Sequence, residues 1–566
     1  MQKRWIISDQ PHPQSISDLS AALNISTGLA TLLVQRGIHS FDQAKDFFRP
    51  QLSQLHDPFL MKDMDKAVTR LSEALEQNER ILIYGDYDVD GTTSVALVFQ
   101  FLQQLGARVE YYIPDRYTEG YGVSQAGIEY AIQQGIALII SLDCGIKAHE
   151  KVAFAKTHGI DFIICDHHRP SDTLPDALAV LDAKRDDCPY PYKELSGCGV
   201  GFKLLQGLCM QNAINLESLY PFLDLVAISI ASDIVPLTGE NRIMAYYGLQ
   251  KINTDPRPGV KALIELGGIR QPLNITSVVF GIGPRINAAG RIAHAHGAVK
   301  LLLSDTNEEA LTQGERVNDR NSERKNFDST ITQEALNMIE ENEVIREAKS
   351  TVLFKDTWHK GVIGIVASRC IEKYYRPTVI LTESNNKATG SARSIPGFDL
   401  YEAIEECSDL LDQFGGHTYA AGLTLPIANI PLFQKRFEEV AQRKLTEELL
   451  TPQLEIDTEL DFSKITEKFY RVLSQMEPFG PGNMAPVFIS RHVTCYESPR
   501  LLKEQHLKLK LVQEGHSNIL EAIAFGMGDL YPALCEADSF DIAYSIEQNE
   551  FKGTKTLQLN IKDIKV

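Results

Sequence analysis

Three short apolar runs in this chain each end in acidic or histidine residues. Residues 80–84 lead into Gly85-Asp86-Tyr87-Asp88-Val89-Asp90-Gly91, residues 138–142 into Asp143-Cys144-Gly145, and residues 161–165 into Asp166-His167-His168. Short apolar runs bounded by glycine and polar clusters predict buried parallel strands. Side chains at the carboxyl ends of such strands lie where open α/β sheets bind ligands. Acids gathered there repel one another unless cations neutralise them, so the pattern predicts a divalent-metal site.

Helical and strand patterns alternate from about residue 61, which predicts a parallel sheet covered by helices on both faces. A polar stretch near 306–348 predicts a helical linker, and alternation resumes near residue 349. From about residue 451 the segments alternate as in a small β-barrel. We predict two α/β domains joined by a long helix, with these divisions: an N-terminal helical cap over 1–60, a first α/β domain over 61–305, the linker over 306–348, a second α/β domain over 349–450 and a β domain over 451–566.

The formal net charge of −19 argues against nucleic-acid binding through general basicity, since phosphate affinity comes largely from lysine and arginine. Part of the acid excess belongs to the predicted metal site, and Arg369, Arg376 and Arg393 could still line one groove. Nine cysteines without a C-x-x-C pair argue against a disulfide framework or a zinc knuckle. No apolar stretch reaches the length of a membrane span, and the first residues lack a secretion signal. We expect a cytoplasmic protein with no membrane partner.

The first acidic string admits more than one interpretation. On a continuing strand Asp86, Asp88 and Asp90 would share one face, and on a tight loop they could wrap a cation. A calcium loop is disfavoured, because Leu97 occupies the twelfth position where a bidentate glutamate is needed. A plain strand-to-helix turn capped by Thr92 or Thr93 is the alternative without a ligand.

Oxygen ligands favour Mg²⁺ or Mn²⁺, and added imidazole favours Mn²⁺. Two such ions would clamp a phosphate, lower the pKa of a water and stabilise the leaving oxygen. Phosphoester hydrolysis is therefore the expected chemistry.

With Ser232-Asp233-Ile234-Val235-Pro236, these strings resemble the four ordered motifs of the DHH phosphoesterases, and most closely the bacterial branch of single-strand-specific 5′→3′ exonucleases. Supporting strings are Gly283-Pro284-Arg285-Ile286-Asn287-Ala288-Ala289-Gly290-Arg291 and Trp358-His359-Lys360-Gly361-Val362-Ile363-Gly364. The resemblance implies an α/β catalytic domain, a DHH-associated domain and an oligonucleotide-binding β-barrel. Many family members carry a histidine just before the first acidic motif, where this chain has Tyr84, so the resemblance leaves open which acids complete the first metal's shell.

The resemblance also implies roles for individual residues. The metal ligands would be Asp86, Asp88, Asp143, His167 and Asp233, with Asp143 between two ions. Orienting or auxiliary roles would fall to Asp90, Asp166 and His168. Substrate contacts would come from Arg285, Asn287, Arg291, Arg369, Ser391, Arg393 and His417. For Arg285, Asn287 and Arg291 a capping and packing loop is the alternative, and for Arg369 and Arg376 a surface ion pair.

Aromatic residues could stack on bases or belong to the core, namely Tyr121, Trp358 and Phe398. Lys503, Lys508 and Lys510 could give the β domain basic character.

The activity implied by the resemblance is a Mn²⁺- or Mg²⁺-dependent exonuclease that degrades single-stranded DNA from the 5′ end to mononucleotides, in repair and recombination. The partners would be single-stranded DNA, single-strand-binding protein and a helicase, and we expect a monomer. A channel between the two α/β domains would admit one strand and exclude duplex.

Two other functions stay open. One is a DHH enzyme for short oligonucleotides, cyclic dinucleotides or pyrophosphate, which would not need the residues beyond 452. The other is a non-catalytic scaffold with a decayed site, which the four intact motifs disfavour.

Overall fold

The structure is a computed structural model that describes residues 3–516, 518–551 and 553–566. The described chain forms two compact units. One consists mainly of residues 316–454, and the other of residues 6–290, 294–315 and 455–566.

The N-terminal segment forms short helices, as the sequence predicts. Its elements are β1 (Arg4–Ile7), α1 (Pro13–Leu23), α2 (Thr27–Gln35) and α3 (Phe41–Phe48). Ser26 and Ser40 cap α2 and α3 by accepting hydrogen bonds from backbone N–H groups of the first turn. In the described part of the chain no single helix has the length and apolarity to cross a bilayer; the pair α1 and α2 meets the test only when joined across a bend of 114°.

A five-stranded parallel sheet forms the centre of the next segment. Its strands are β2 (Arg80–Gly85), β3 (Arg108–Tyr112), β4 (Leu138–Leu142), β5 (Asp161–Cys165) and β6 (Ala179–Leu181), in the order β3-β2-β4-β5-β6. Its helices are α4 (Met64–Glu76), α5 (Val89–Gln104), α6 (Gln125–Gln133), α7 (His149–Thr157), α8 (Gly197–Gln211), α9 (Leu223–Ser232) and α10 (Gly239–Thr254). Helices α6 and α7 cover one face, and α4, α5 and α8 the other. The predicted sheet with helices on both faces is confirmed.

Helices continue to residue 347. They are α11 (Pro258–Gly267), α12 (Ile275–Ser277), α13 (Gly283–Ile292), α14 (His296–Leu302), α15 (Asn307–Glu341) and α16 (Glu343–Glu347), with a π-helical turn over Val278–Ile282. Helix α15 spans 35 residues, as its polar periodicity predicts. The string from Gly283 to Arg291 lies on α13, so it is a helix and not a loop.

The second α/β segment contains a mixed sheet. Its elements are β7 (Thr351–Phe354), α17 (Ile363–Tyr374), β8 (Thr378–Ser384), β9 (Lys387–Arg393), α18 (Leu400–Glu405), β10 (Gln413–His417), β11 (Ala420–Leu425) and α19 (Ile430–Lys444). Strand order is β10-β11-β9-β8-β7, with β7 and β8 parallel and the other neighbours antiparallel. Two hairpins explain this mixture, because β8 is followed directly by β9 and β10 directly by β11, and strands joined by a short turn pair antiparallel.

The C-terminal segment closes into a barrel. Its elements are β12 (Gln453–Ile456), β13 (Thr458–Glu459), α20 (Glu467–Ser474), β14 (Phe488–Cys495), β15 (Arg500–Leu502), β16 (His506–Gln513), β17 (Leu520–Ala524), α21 (Tyr531–Glu536), β18 (Phe540–Phe551) and β19 (Thr554–Lys565). The ring runs β14-β18-β19-β17-β16 and closes where β16 pairs with β14. Leu29, Leu32 and Leu33 of α2 share one apolar core with Leu507 and Leu509 of β16. The first helices therefore pack on the last domain.

Candidate metal centre and substrate-contact residues

The strand order of the parallel sheet places the acidic strings in one crevice. Along the chain the sheet is built outwards from β2, first to β3 on one side and then to β4, β5 and β6 on the other. The chain therefore leaves β2 towards one edge of the sheet and leaves β4 towards the other. The two connections diverge and open a crevice at the carboxyl ends of these strands, where open α/β sheets bind ligands. Asp86 follows β2, Asp143 follows β4 and Asp166 follows β5. The sequence-predicted edge is therefore the edge at which these three acids lie.

The string Asp86–Asp90 is a tight turn into a helix, not a continuing strand. Asp88 is the N-cap of α5 and accepts a hydrogen bond from the Gly91 N–H at 3.0 Å. A Cβ on Gly91 would lie 2.4 Å from the Asp86 carbonyl oxygen, so only glycine fits this close backbone approach. The cap is Asp88, and not Thr92 or Thr93, whose hydroxyls donate back to Asp88 and Val89 carbonyls.

Asp90 is buried and fully hydrogen-bonded at the start of α5. Its Oδ2 accepts from the Gly197 N–H at 2.6 Å, and its Oδ1 accepts from the Cys198 N–H at 2.8 Å and the Ser229 hydroxyl at 2.6 Å. A carboxylate at the N-terminus of α8 is favoured by the first N–H groups of the helix, which have no partner within the helix. Asp90 thus ties three helices, α5, α8 and α9, to the crevice.

His167 brings the acids of the separate motifs together. Its Nε2 lies 3.2 Å from Asp143 Oδ1, 3.5 Å from Asp233 Oδ2 and 3.6 Å from Asp90 Oδ2. Two sets of ligand atoms fall within 4.8 Å of one another, Asp143 with His167 and His168, and Asp90 with His167 and Asp233. Oxygen and imidazole donors at this spacing can hold a Mn²⁺ or Mg²⁺ ion.

Asp166 orients His168 from behind. Its Oδ1 accepts hydrogen bonds from His168 Nδ1 at 2.8 Å and from the N–H groups of both histidines, and its Oδ2 accepts from the Ile146 N–H. The Tyr121 hydroxyl donates to the Asp143 carbonyl at 3.1 Å and lies 3.2 Å from His168 Nε2. With both ring nitrogens facing acceptors, His168 is suited to carry a proton.

The electrostatics of the crevice favour a cation. Burial and the charge of Asp90 raise the pKa of Asp143 well above its ordinary value, and burial and Asp88 raise the pKa of Asp86. Burial and Asp90 also raise the pKa of Asp233 to about 8. These acids resist ionisation because each charge is desolvated and faces another like charge.

Asp166 and His168 form the opposite case. Burial opposes the charge on both residues, but their hydrogen bond and mutual attraction lower the pKa of Asp166 to about 2 and raise the pKa of His168 to about 9.

Buried polar atoms without hydrogen-bond partners support the same set of metal ligands. Within the described residues, Asp86 Oδ2 and His167 Nδ1 are buried without a hydrogen-bond partner. Buried unpartnered donors and acceptors are costly and mark a site for an ion or water. The residues present therefore fit a divalent cation.

Two residues at the proposed ligands have a left-handed backbone conformation. Asp143 has a φ of +59° and Ile234, next to Asp233, a φ of +61°. A β-branched residue in this region is strained by about 1–3 kcal/mol and persists only where its surroundings hold it.

Asp182 was not anticipated as a site residue. It follows β6 as Asp143 follows β4, and it is fully buried with an unpartnered Oδ2 in the described structure. Burial and Asp166 raise the pKa of Asp182 to about 7. An acid after the apolar residues 179–181 was the signal that could have found it.

The second α/β segment brings together three of the proposed substrate contacts. Arg393 Nη1 donates to Ser391 Oγ at 3.0 Å, and a Cβ on Gly364 would lie 2.8 Å from Ser391 Oγ. Ala420 pairs with both Arg393 on β9 and His417 on β10, so the two basic side chains stand on one cross-strand row. This row can present cationic and hydroxyl groups to a phosphate.

The other proposed contacts have different surroundings. Arg369 is half-exposed and paired with Glu372 one helical turn away at 3.1 Å. Arg285 is buried on α13 and donates to the Gly281 carbonyl, and Asn287 is half-buried on the same helix. Arg291 donates to the Gly361 carbonyl at 3.2 Å.

Several side chains are structural. Arg376 is neither in a groove nor in a surface ion pair: it is 4% exposed and donates to the carbonyls of Ile345, Arg346 and Ala348. Trp358 and Phe398 are buried in cores, so they do not stack on bases, whereas Tyr121 is exposed. In the barrel, Lys508 pairs with Glu521 and Lys510 with Glu497, which reduces their basic character.

Comparison with known proteins extends over the whole chain. Family models match at residues 80–230 (DHH family, N-terminal domain), 347–443 (DHHA1 domain) and 456–563 (RecJ OB domain). The chain is 38% identical over its full length to the single-stranded-DNA-specific exonuclease RecJ of Bacillus subtilis, covering 71% of that protein. It is 33% identical to RecJ of Escherichia coli, covering 95% of both chains.

Solved structures agree in fold. RecJ of Thermus thermophilus in complex with Mn²⁺ matches with a TM-score of 0.86 at 29% identity, over 100% of this chain and 79% of that one. The same protein in complex with Mg²⁺ matches with a TM-score of 0.80 at 28% identity, over 100% and 78%.

Proposed function

Because the chain belongs to the RecJ family of single-stranded-DNA-specific exonucleases, we propose that it hydrolyses single-stranded DNA from the 5′ end to mononucleotides. The reaction depends on Mn²⁺ or Mg²⁺ and serves DNA repair and recombination. The observation that carries the proposal is the convergence of Asp90, Asp143, His167 and Asp233 at one edge of the parallel sheet. A cytoplasmic location is part of the proposal.

The ions would be held by Asp86, Asp88, Asp143, His167 and Asp233. When bound, divalent cations polarise the scissile phosphate, lower the pKa of a water and stabilise the leaving oxygen. Asp90 fixes the helices that carry the site, through its bonds to Gly197, Cys198 and Ser229. Pre-organised ligands of this kind need little rearrangement during the reaction.

His168 has a separate role in the proposal. In the metal-free site the Asp166 carboxylate raises the pKa of His168 to about 9, which favours a protonated imidazole that can offer positive charge to a phosphate. Tyr121 accepts from Nε2 of that ring when it is protonated, so Asp166 and Tyr121 fix its orientation.

The single-stranded DNA would also be held by residues away from the metal site. Ser391, Arg393 and His417 form a polar row suited to phosphates, and the closed barrel has the form of oligonucleotide-binding modules. Arg285, Asn287, Arg291 and Arg369 stay predicted contacts. We also propose that the protein acts as a monomer. Its partners would be a helicase that supplies single strands and single-strand-binding protein.

The test uses one long single strand, labelled at the 5′ end in one reaction and at the 3′ end in another, with Mn²⁺ and a chelated control. Immediate release of the 5′ label as mononucleotide, with late loss of the 3′ label, is the expected result. Asp143→Ala should abolish release, while Asp172→Asn, a change at an exposed acid, should not. Inert long strands with cleavage of dinucleotides or pyrophosphate would replace this proposal with the small-substrate DHH activity.

A further inference from the structure

A loop that leads into the barrel contacts the segment that carries Asp233. This loop, Met476–Asn483, is called the clamp loop below. The Leu237 N–H donates to the Pro481 carbonyl at 2.6 Å, four residues after Asp233. The bond joins two backbones, so it does not depend on the identity of a mobile side chain.

Two glycines of the clamp loop allow this close approach. A Cβ on Gly480 would lie 2.4 Å from Leu237 Cδ1. Gly482 has a φ of +74°, and a Cβ there would lie 2.9 Å from Thr238 Cγ2 and 3.5 Å from Pro236 Cβ. The loop is therefore packed against Pro236, Leu237 and Thr238 with no room for a side chain.

The clamp loop is held in place by its own Asn483 and by two arginines outside it. Asn483 is buried and its amide donates to the carbonyls of Met476 and Pro478 at 2.9 Å, while its Oδ1 accepts from Arg36 Nε at 2.8 Å. Arg242, on the helix that begins after Thr238, donates to the carbonyls of Met476, Glu477 and Pro478. The clamp loop is thus bonded at two places to the stretch that follows Asp233, at Leu237 through Pro481 and at Arg242 through the carbonyls of 476–478.

Asp233 needs such support. It is the C-cap of α9, and Ile234 after it has a φ of +61°, a conformation that a β-branched residue keeps only when held. The Pro236 carbonyl accepts from Tyr192 and Asn241, and the Thr238 hydroxyl lies 3.1 Å from the Tyr192 hydroxyl. The clamp loop adds the backbone bond from Leu237 to Pro481.

We propose that the clamp loop is a positioning element for Asp233, so that residues of the oligonucleotide-binding domain set the affinity of the metal site. The inference rests on the proposed function, because it assigns Asp233 to a metal. It predicts that changes in the clamp loop weaken metal binding although no ligand is altered.

The experiment measures Mn²⁺ binding to the full chain by titration calorimetry, without DNA. Gly482→Ala should weaken Mn²⁺ binding roughly tenfold, as loss of an orienting contact to a ligand does. Gly526→Ala is the matched control, since its φ is +70° and, among described atoms, nothing lies within 4 Å of the added Cβ. It should bind Mn²⁺ as the unaltered chain does.

Rescue separates positioning from general damage. Thr238→Ser removes Cγ2 and keeps the hydroxyl that meets Tyr192, so it should restore Mn²⁺ affinity in the Gly482→Ala background. Cleavage by Gly482→Ala should also recover at saturating Mn²⁺, with KM for the strand unchanged. Gly480→Ala, at a position without a left-handed φ, gives a second variant if Gly482→Ala does not fold, and the same weakening is expected.

Mn²⁺ affinity within twofold of the Gly526→Ala control, or a loss that Thr238→Ser does not reverse, would overturn the proposal. A chain that binds Mn²⁺ as expected but leaves single strands intact would instead count against the proposed function, so the two failures are distinguishable.

Discussion

Replacing Asp233 by asparagine should stabilise the metal-free protein while removing its activity. Carboxylate oxygens of Asp90 and Asp233 lie within 4.8 Å of each other. At an effective dielectric constant of about 20, two unit charges at that separation repel by about 3 kcal/mol. Asp233→Asn removes this repulsion, which corresponds to a rise in melting temperature of roughly 3–4 °C for the large unit that contains it.

The pH dependence gives the sign of the effect. Burial and Asp90 raise the pKa of Asp233 to about 8 from an ordinary 3.8, so the folded protein holds a proton that the unfolded chain has lost. The cost to stability is therefore absent below pH 3.8, grows as the pH rises, and is complete above about pH 8.

Thermal unfolding in chelator at pH 5 and pH 9 measures this gain. The gain from Asp233→Asn should be larger at pH 9, and added Mn²⁺ should raise the melting temperature of the unaltered chain more than that of the variant. A variant that is less stable than the unaltered chain at pH 9 in chelator, or a gain that is equal at both pH values, would refute the reasoning. Asp172→Asn, at an exposed acid, serves as the control.

Three further predictions concern other parts of the site. Asp166→Asn should lower the pKa of His168, which NMR titration follows. The same change should lower the free energy of unfolding in urea by about 2 kcal/mol at neutral pH. Because the pKa of Asp166 is depressed to about 2, its contribution to stability is present above pH 3.8 and lost as the pH falls through 2. Removal of metal by chelation should stop cleavage, and Mn²⁺ should restore cleavage to the unaltered chain but not to Asp143→Ala. Arg393→Ala should raise KM for the strand about tenfold, a loss near 1.4 kcal/mol, with Mn²⁺ affinity unchanged; Arg369→Ala should have a smaller effect because that side chain is engaged by Glu372.

Local patterns predicted most of the parallel sheet. Strands β2, β4 and β5 lie within one residue of the apolar runs 80–84, 138–142 and 161–165, because apolar runs bounded by glycine are a strong local signal. Strand β6 was not predicted, since its three residues are too short to show a period. Strand order, the antiparallel pairs of the second sheet and the packing of α2 on the barrel depend on contacts between distant residues, which a local pattern does not carry.

The acids that end strands in the sequence lie together in the structure. Asp86, Asp143 and Asp166 lie at one edge of the sheet because parallel strands bring their carboxyl ends together. The bond from Ser229 to Asp90 and the contact from Pro481 to Leu237 were not foreseen, because hydroxyl and backbone groups have no sequence signature. Arg376 was misjudged because a basic residue is exposed in most proteins. Here the carbonyls of Ile345, Arg346 and Ala348, at the end of α16, bind its guanidinium in the interior.

The core shared by the first helices and the barrel has a consequence for synthesis. The apolar side chains of α2 emerge from the ribosome long before β16 exists to cover them. At about 5–20 residues per second the delay is roughly 25–90 s, so these helices must wait, exposed or shielded by a chaperone, while the rest of the chain is made. For the same reason, deleting the residues beyond 452 would uncover α2 as well as remove the barrel. Nascent chains halted near residue 450 should therefore be cut by protease at α1 and α2, which the completed protein protects.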